Sequence, residues 1–258
     1  NRLFEGVWNR EHIACVQITF SEQNGVENRA GFYERTGALA DFAQSHLLQV
    51  LSLVAMDEPS CLEEDPIKNA KARALRRLAP LKSADVVMGQ YTDGEVDKKP
   101  VLAYTKEPGV APDSKIETFV ALRTHVRTPR WKGVPFYLMT GKRLERSEGL
   151  ITITFKQPQA CLFGMGPCKT KNKEAKEKQK SRDSPASLSA SASRSASSSS
   201  PTLTSFLGEV GPSQLQIQVQ PEEVFRLRFN LKTPEEKLSV KPFNMDYCYS
   251  CDYLCQRL

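Results

Sequence analysis

The chain has no run approaching the roughly 18 uninterrupted apolar residues of a membrane span. Its start, Asn1-Arg2-Leu3-Phe4, has neither the basic nor the apolar region of a secretory leader. No membrane partner and no secretion are expected. A complete disulfide framework is also missing. The seven cysteines (Cys15, Cys61, Cys161, Cys168, Cys248, Cys251 and Cys255) are odd in number and scattered, which favours a reducing compartment and a cytoplasmic location. The terminal Cys248-x-x-Cys251-x-x-x-Cys255 cluster lacks a fourth ligand at a recognisable spacing, so no metal is expected there. No internal repeat is apparent.

The charge balance is +6 with a pI near 8.9, but much of the excess sits in one Lys/Glu run at 169–180. A folded basic face is not required, and no nucleic-acid partner is expected. Residues 184–200 are mostly serine and alanine, with too little apolar surface to offset the entropy of ordering them. Residues 169–212 therefore read as a disordered low-complexity insertion. It interrupts one domain, whose first part is 1–168 and whose continuation is 213–258.

Hydrophobic periodicity organises the rest. Residues 12–20 alternate, with Val16, Ile18 and Phe20 on one face, which predicts a half-buried strand. Gly25 and Gly31 then read as loop punctuation. From Thr36 the spacing changes: Leu39, Phe42, Ala43, His46, Leu47, Val50, Leu53 and Val54 form one stripe of a long helix that stops before Pro59. A second helix is predicted from Asp65 as N-cap, with Pro66 at its first position, ending at Pro80. After a loop over 89–114, strand-like runs follow at 118–126, 135–139, 150–155, 215–220 and 224–232. The expected class is α+β: a large, mostly antiparallel sheet with helices packed on it.

Four stretches carry a resemblance to a known family. They are Asn1-Arg2-Leu3-Phe4 with Trp8-Asn9-Arg10; the helix from Asp41 through Ser45-His46-Leu47-Leu48-Gln49 to Ala55-Met56; Val87-Met88-Gly89-Gln90-Tyr91; and Arg130-Trp131-Lys132-Gly133-Val134-Pro135-Phe136 running into Gly141-Lys142. In order and spacing these resemble the C-terminal, substrate-binding domain of glucose-6-phosphate dehydrogenase. The similarity resumes at Leu215 to Pro221. The family oxidises the C1 hydroxyl of glucose 6-phosphate to the lactone with hydride transfer to NADP, in the pentose phosphate route. By resemblance His46 is the base that takes the hydroxyl proton, a task suited to imidazole because it titrates near neutrality. Glu22 and Asp41 match carboxylates that accept hydrogen bonds from sugar hydroxyls, while Lys142 and Gln220 match substrate-contacting side chains. On a regular helix Asp41 and His46 would project about 140° apart, so a ligand across the helix start would be needed to engage both.

The resemblance also implies what the chain lacks. No GxxGDLA-like glycine turn and no RIDHYLGK-like segment is present. The Rossmann domain that binds most of the NADP is thus expected to be absent, and the chain alone to be inactive. Ser147 stands where the family usually has a basic residue, with Arg146 one place early, and Met139, Glu148 and Gln218 replace basic residues around a second NADP site in some relatives. A homodimer or homotetramer is implied for the complete protein. A catalytically inactive sugar-phosphate-binding or dimerisation module is the alternative reading.

Overall fold

The structure is a computed structural model and describes residues 2–157, 211–232 and 240–248. The insertion expected at 169–212 lies outside these residues except at its last two positions, and so do Cys161, Cys168, Cys251 and Cys255. A short helix α1 (Arg2–Glu5) precedes β1 (Ile13–Ser21). A 3-10 turn (Glu27–Arg29) then leads into α2 (Ala30–Ala38), a π-helical segment (Leu39–Leu47) and α3 (Leu48–Ala55). Next come α4 (Glu64–Arg76), β2 (Val86–Gly89), and a small hairpin of β3 (Gly94–Val96) and β4 (Lys99–Val101). The remaining strands are β5 (Phe119–His125), β6 (Pro135–Gly141), β7 (Glu148–Phe155), β8 (Gln214–Gln220), β9 (Val224–Lys232) and β10 (Val240–Cys248).

Eight strands form one sheet in the order β10-β9-β8-β7-β1-β6-β5-β2. Its β1–β6 pair is parallel, while β1–β7, β5–β6, β2–β5, β7–β8 and β8–β9 are antiparallel, as the α+β expectation requires. The chain divides into two compact units: the larger takes 1–156, 212–229 and 243–258, the smaller 157–211 and 230–242. Among the smaller unit's described residues, the Asn230 amide donates to the Gly211 carbonyl at 2.8 Å.

The alternation in β1 does what its period dictates. Val16 and Ile18 are fully buried and Gln17 is exposed, and the buried face shares one hydrophobic core with Leu47 and Leu51 of the long helix and with Phe136, Leu138 and Ile153 from neighbouring strands. Each such side chain contributes roughly 1.5–3 kcal/mol through burial. The helical run over residues 27–55 is long and apolar enough to cross a membrane by length and composition alone, yet Ala43, Leu47, Leu51, Val54 and Ala55 are buried in this core.

The C-terminal end of α3 is closed by both tryptophans of the chain. Trp8 donates its indole N–H to the Val54 carbonyl and Trp131 to the Ala55 carbonyl, each at 2.9 Å. Carbonyls in the last turn have no intrahelical partner, so Trp131, with no exposed surface, satisfies a group that would otherwise be stranded in the core.

Three local expectations need correction. Helix α4 starts at Glu64 after Glu63, with no side-chain cap, so Asp65 and Pro66 lie inside its first turn. It ends at Arg76, before Pro80, because the chain is captured by the end of β5: Leu78 bridges Val126, and Ala79 N–H donates to His125 O at 2.8 Å. Gly31 falls within α2 and punctuates nothing.

Candidate active site

The parallel pairing of β1 and β6 brings two strand ends out on one edge, with Ser21 opposite Gly141. The segments beyond them are laced together by backbone hydrogen bonds: Glu22 N–H to Gly141 O, Lys142 N–H to Thr118 O and Leu144 N–H to Glu22 O, all at 3.0 Å. Glu22 and Lys142 are therefore neighbours although 120 positions apart, and the Lys142 ammonium donates to the Glu22 carboxylate. Lys142 Nζ also lies 5.3 Å from the centre of the Tyr33 ring, within reach of a cation–π attraction. Gln220 ends β8 at the same edge, opposite Gly149, while Glu148 of β7 is opposite Ser21. Gly149 permits this packing because a Cβ there would meet Phe20 at 2.6 Å and Val219 at 2.8 Å.

The helical side of the site depends on Gly37. Its φ of +61° and ψ of 179° break the run between α2 and the π segment, a conformation essentially reserved for glycine. Beyond the break, the Glu117 carboxylate accepts from Leu39 N–H at 2.9 Å and its backbone carbonyl from Ala38 N–H at 3.0 Å. This caps the restarted helix. Residues 39–47 then wind as a π-helix, with Leu48 N–H reaching back five residues to Ala43 O. Under i→i+5 bonding, residues five apart stand about one turn above each other. Asp41 and His46 consequently share a side of the helix, and the 140° separation expected on α-helical geometry does not apply.

His46 is exposed, its ring centre 4.8 Å from that of Phe42, and among the described residues neither ring nitrogen has a hydrogen-bond partner. Phe42 in turn packs on Phe20 at 5.8 Å, which connects the histidine through two aromatic rings to the Gly149–Gln220 contact. The Asp41 side chain is 18% exposed and Arg29 approaches it at 3.7 Å. Tyr33 is buried between the groups: burial first, then the carboxylates of Asp41, Glu117 and Glu22, push its phenol well above the ordinary range. Tyr33 thus marks where carboxylates from the β1 end, the π-helix and the segment before β5 converge.

Four of the five residues expected from sequence are in this way joined: Glu22 and Lys142 directly, and Asp41 and His46 along one helix side. Gln220 closes the same sheet edge. Sequence reasoning missed Tyr33 and Glu117, whose roles rest on contacts 78 to 109 positions away; the glycine inside a helical period at Gly37 was the available signal. Ser147 has a structural use, its hydroxyl accepting from Gln23 N–H at 2.9 Å, while Arg146 pairs with Glu148 at 2.9 Å.

A dinucleotide does not fit the turn between β1 and the helix that follows. The space beside Gly25 is filled by the Arg143 guanidinium and the Glu107 carboxylate, 2.7 to 2.8 Å from where a Cβ would sit. The turn also carries Glu22 and Glu27, which repel a pyrophosphate. No group of residues arranged to hold a metal ion occurs among the described residues. The site offers carboxylate acceptors, one ammonium donor and an accessible imidazole, a set that can hold a hydroxyl-rich anion and remove a proton from it.

Comparison with known proteins agrees with this architecture. The family model "Glucose-6-phosphate dehydrogenase, C-terminal domain" matches residues 1–182. Glucose-6-phosphate 1-dehydrogenase of Chlamydia trachomatis is 35% identical over 96% of this chain and 48% of its own length, and that of Bacillus subtilis is 35% identical over 98% and 44%. The Dictyostelium discoideum enzyme is 44% identical over 63% of the chain and 32% of its own length. A solved glucose-6-phosphate dehydrogenase in complex with its substrate glucose-6-phosphate superposes with a TM-score of 0.74 at 27% identity, covering 98% of this chain and 43% of that one. The chain spans less than half the length of these relatives. It belongs to the glucose-6-phosphate dehydrogenase family and corresponds to the C-terminal domain.

Proposed function

We propose that this chain supplies the sugar-phosphate-binding and proton-accepting part of an NADP-dependent glucose-6-phosphate dehydrogenase. The observation that carries the reading is the convergence of Glu22, Lys142 and Asp41 around Tyr33, with His46 on the same side of the π-helix as Asp41. In this reading Glu22 and Asp41 accept hydrogen bonds from sugar hydroxyls, and Lys142 exchanges its carboxylate partner for a substrate oxygen. Gln220 borders the ligand from the end of β8. His46 takes the C1 hydroxyl proton as that carbon becomes the lactone carbonyl. Its accessibility suits this role, since a base must lie within hydrogen-bond reach of the proton it removes. NADP supplies the hydride acceptor when bound. In this reading most of the NADP contacts belong to a coenzyme-binding domain other than this one. Self-association of the complete protein into dimers or tetramers belongs to the same proposal.

The test is His46→Asn in the whole natural protein. Turnover should fall about 10²- to 10⁴-fold, the usual contribution of a positioned base, with the Michaelis constant for glucose 6-phosphate changed less than about threefold. Unimpaired turnover removes His46 as the base. Binding of glucose 6-phosphate by the unaltered protein with no turnover makes the chain part of a binding module instead.

A further inference from the structure

One cleft contains none of the site residues above. It has a volume of about 760 Å³ and lies where the last turn of α4 meets the segment after β5. Five arginines line it, Arg73, Arg76, Arg77, Arg127 and Arg130, with Asp57 as the single carboxylate. Arg130 approaches Asp57 at 3.4 Å, and Arg127 donates to the Leu78 carbonyl at 3.2 Å. Among the described residues, Arg73, Arg76 and Arg77 have no ion-pair partner. Five guanidinium groups against one carboxylate leave the cleft about four charges positive.

Arg73 and Arg76 also suit the negative end of the α4 dipole. That account does not reach Arg127 and Arg130, which come from a different element. The two elements are held together by backbone: Arg127 N–H donates to Arg77 O at 2.7 Å, beside the Leu78–Val126 bridge. The guanidinium groups are therefore brought together by the fold rather than by attraction.

We infer that this cleft binds an oligophosphate group, either a free polyphosphate chain or the phosphate tail of a nucleotide. Planar guanidinium forks match phosphate oxygens in pairs. The excess charge matches that of a triphosphate, and the volume is in the range of small-molecule sites, about 300–1,000 Å³. The cleft is separate from the residues assigned to glucose 6-phosphate, so the inference does not depend on that assignment.

Calorimetric titration of the whole natural protein with sodium tripolyphosphate, at about 50 mM and about 200 mM salt, tests it. Binding is expected, weakening several-fold at the higher salt because exposed charges are screened. Arg73→Gln with Arg77→Gln should weaken it roughly tenfold per arginine, while Lys68→Gln on the same helix should leave it unchanged. A thermal melt confirms that each variant is folded. Adenosine triphosphate binding at least tenfold tighter than tripolyphosphate identifies a nucleotide; equal affinity identifies the phosphate chain alone. No tripolyphosphate binding, or binding that the double arginine replacement leaves intact, overturns the inference.

Discussion

Replacing Gly37 with alanine tests how the helix start is built. At φ +61° and ψ 179° an L side chain is strained, which costs about 1–3 kcal/mol. The new Cβ would lie 2.3 Å from Glu117 Oε1. The carboxylate is the movable partner, so the clash resolves by its displacement, which removes the hydrogen bond from Leu39 N–H. Loss of such a cap costs about 1 kcal/mol. The sum is about 2–4 kcal/mol, measurable by urea unfolding of the natural protein. In a Glu117→Ala background the clash and the cap are both absent, and the same glycine replacement should cost only the strain. The displaced helix start carries Asp41, so the Michaelis constant for glucose 6-phosphate should rise as well. A loss below about 0.5 kcal/mol, or an identical loss in both backgrounds, would refute this reasoning.

Lys142→Met should raise that Michaelis constant at least about tenfold, the worth of one charged hydrogen bond; adding Glu22→Gln should recover stability lost through the unpaired carboxylate but not affinity, and an unchanged constant would remove Lys142 from the site. Three of the seven tyrosines, Tyr33, Tyr91 and Tyr104, are held protonated by burial first, Tyr91 up to about 12. Because the folded values exceed the unfolded one near 10, the associated stability is complete below pH 10 and is lost as pH rises; ultraviolet titration should show these three phenols ionising above the ordinary tyrosine range, and the absence of such a late fraction would contradict the buried cluster.

Much of the sheet was legible because alternation over 12–20 and the runs at 118–126 and 224–232 report burial directly. Strands β3 and β4 were hidden in charged, glycine-rich sequence, β2 is only four residues long, and β10 exposes most of its side chains. The π winding was not legible, since Leu39, Ala43 and Leu47 suit either helix. What selects it is the break at Gly37 and a cap contributed from Glu117, both tertiary facts. His46, Glu22, Asp41, Lys142 and Gln220 were legible only through resemblance; as isolated side chains they read as surface or core.

The lacing of the β1 and β6 ends has an evolutionary consequence. The hydrogen bonds joining Glu22, Thr118, Gly141, Lys142 and Leu144 are between main-chain atoms, so the frame that presents the charges does not depend on which side chains it presents. Descendants of this chain can exchange the Glu22 and Lys142 side chains, and with them the ligand, while inheriting the same scaffold, in which Gly141 is held by its closeness to Phe119.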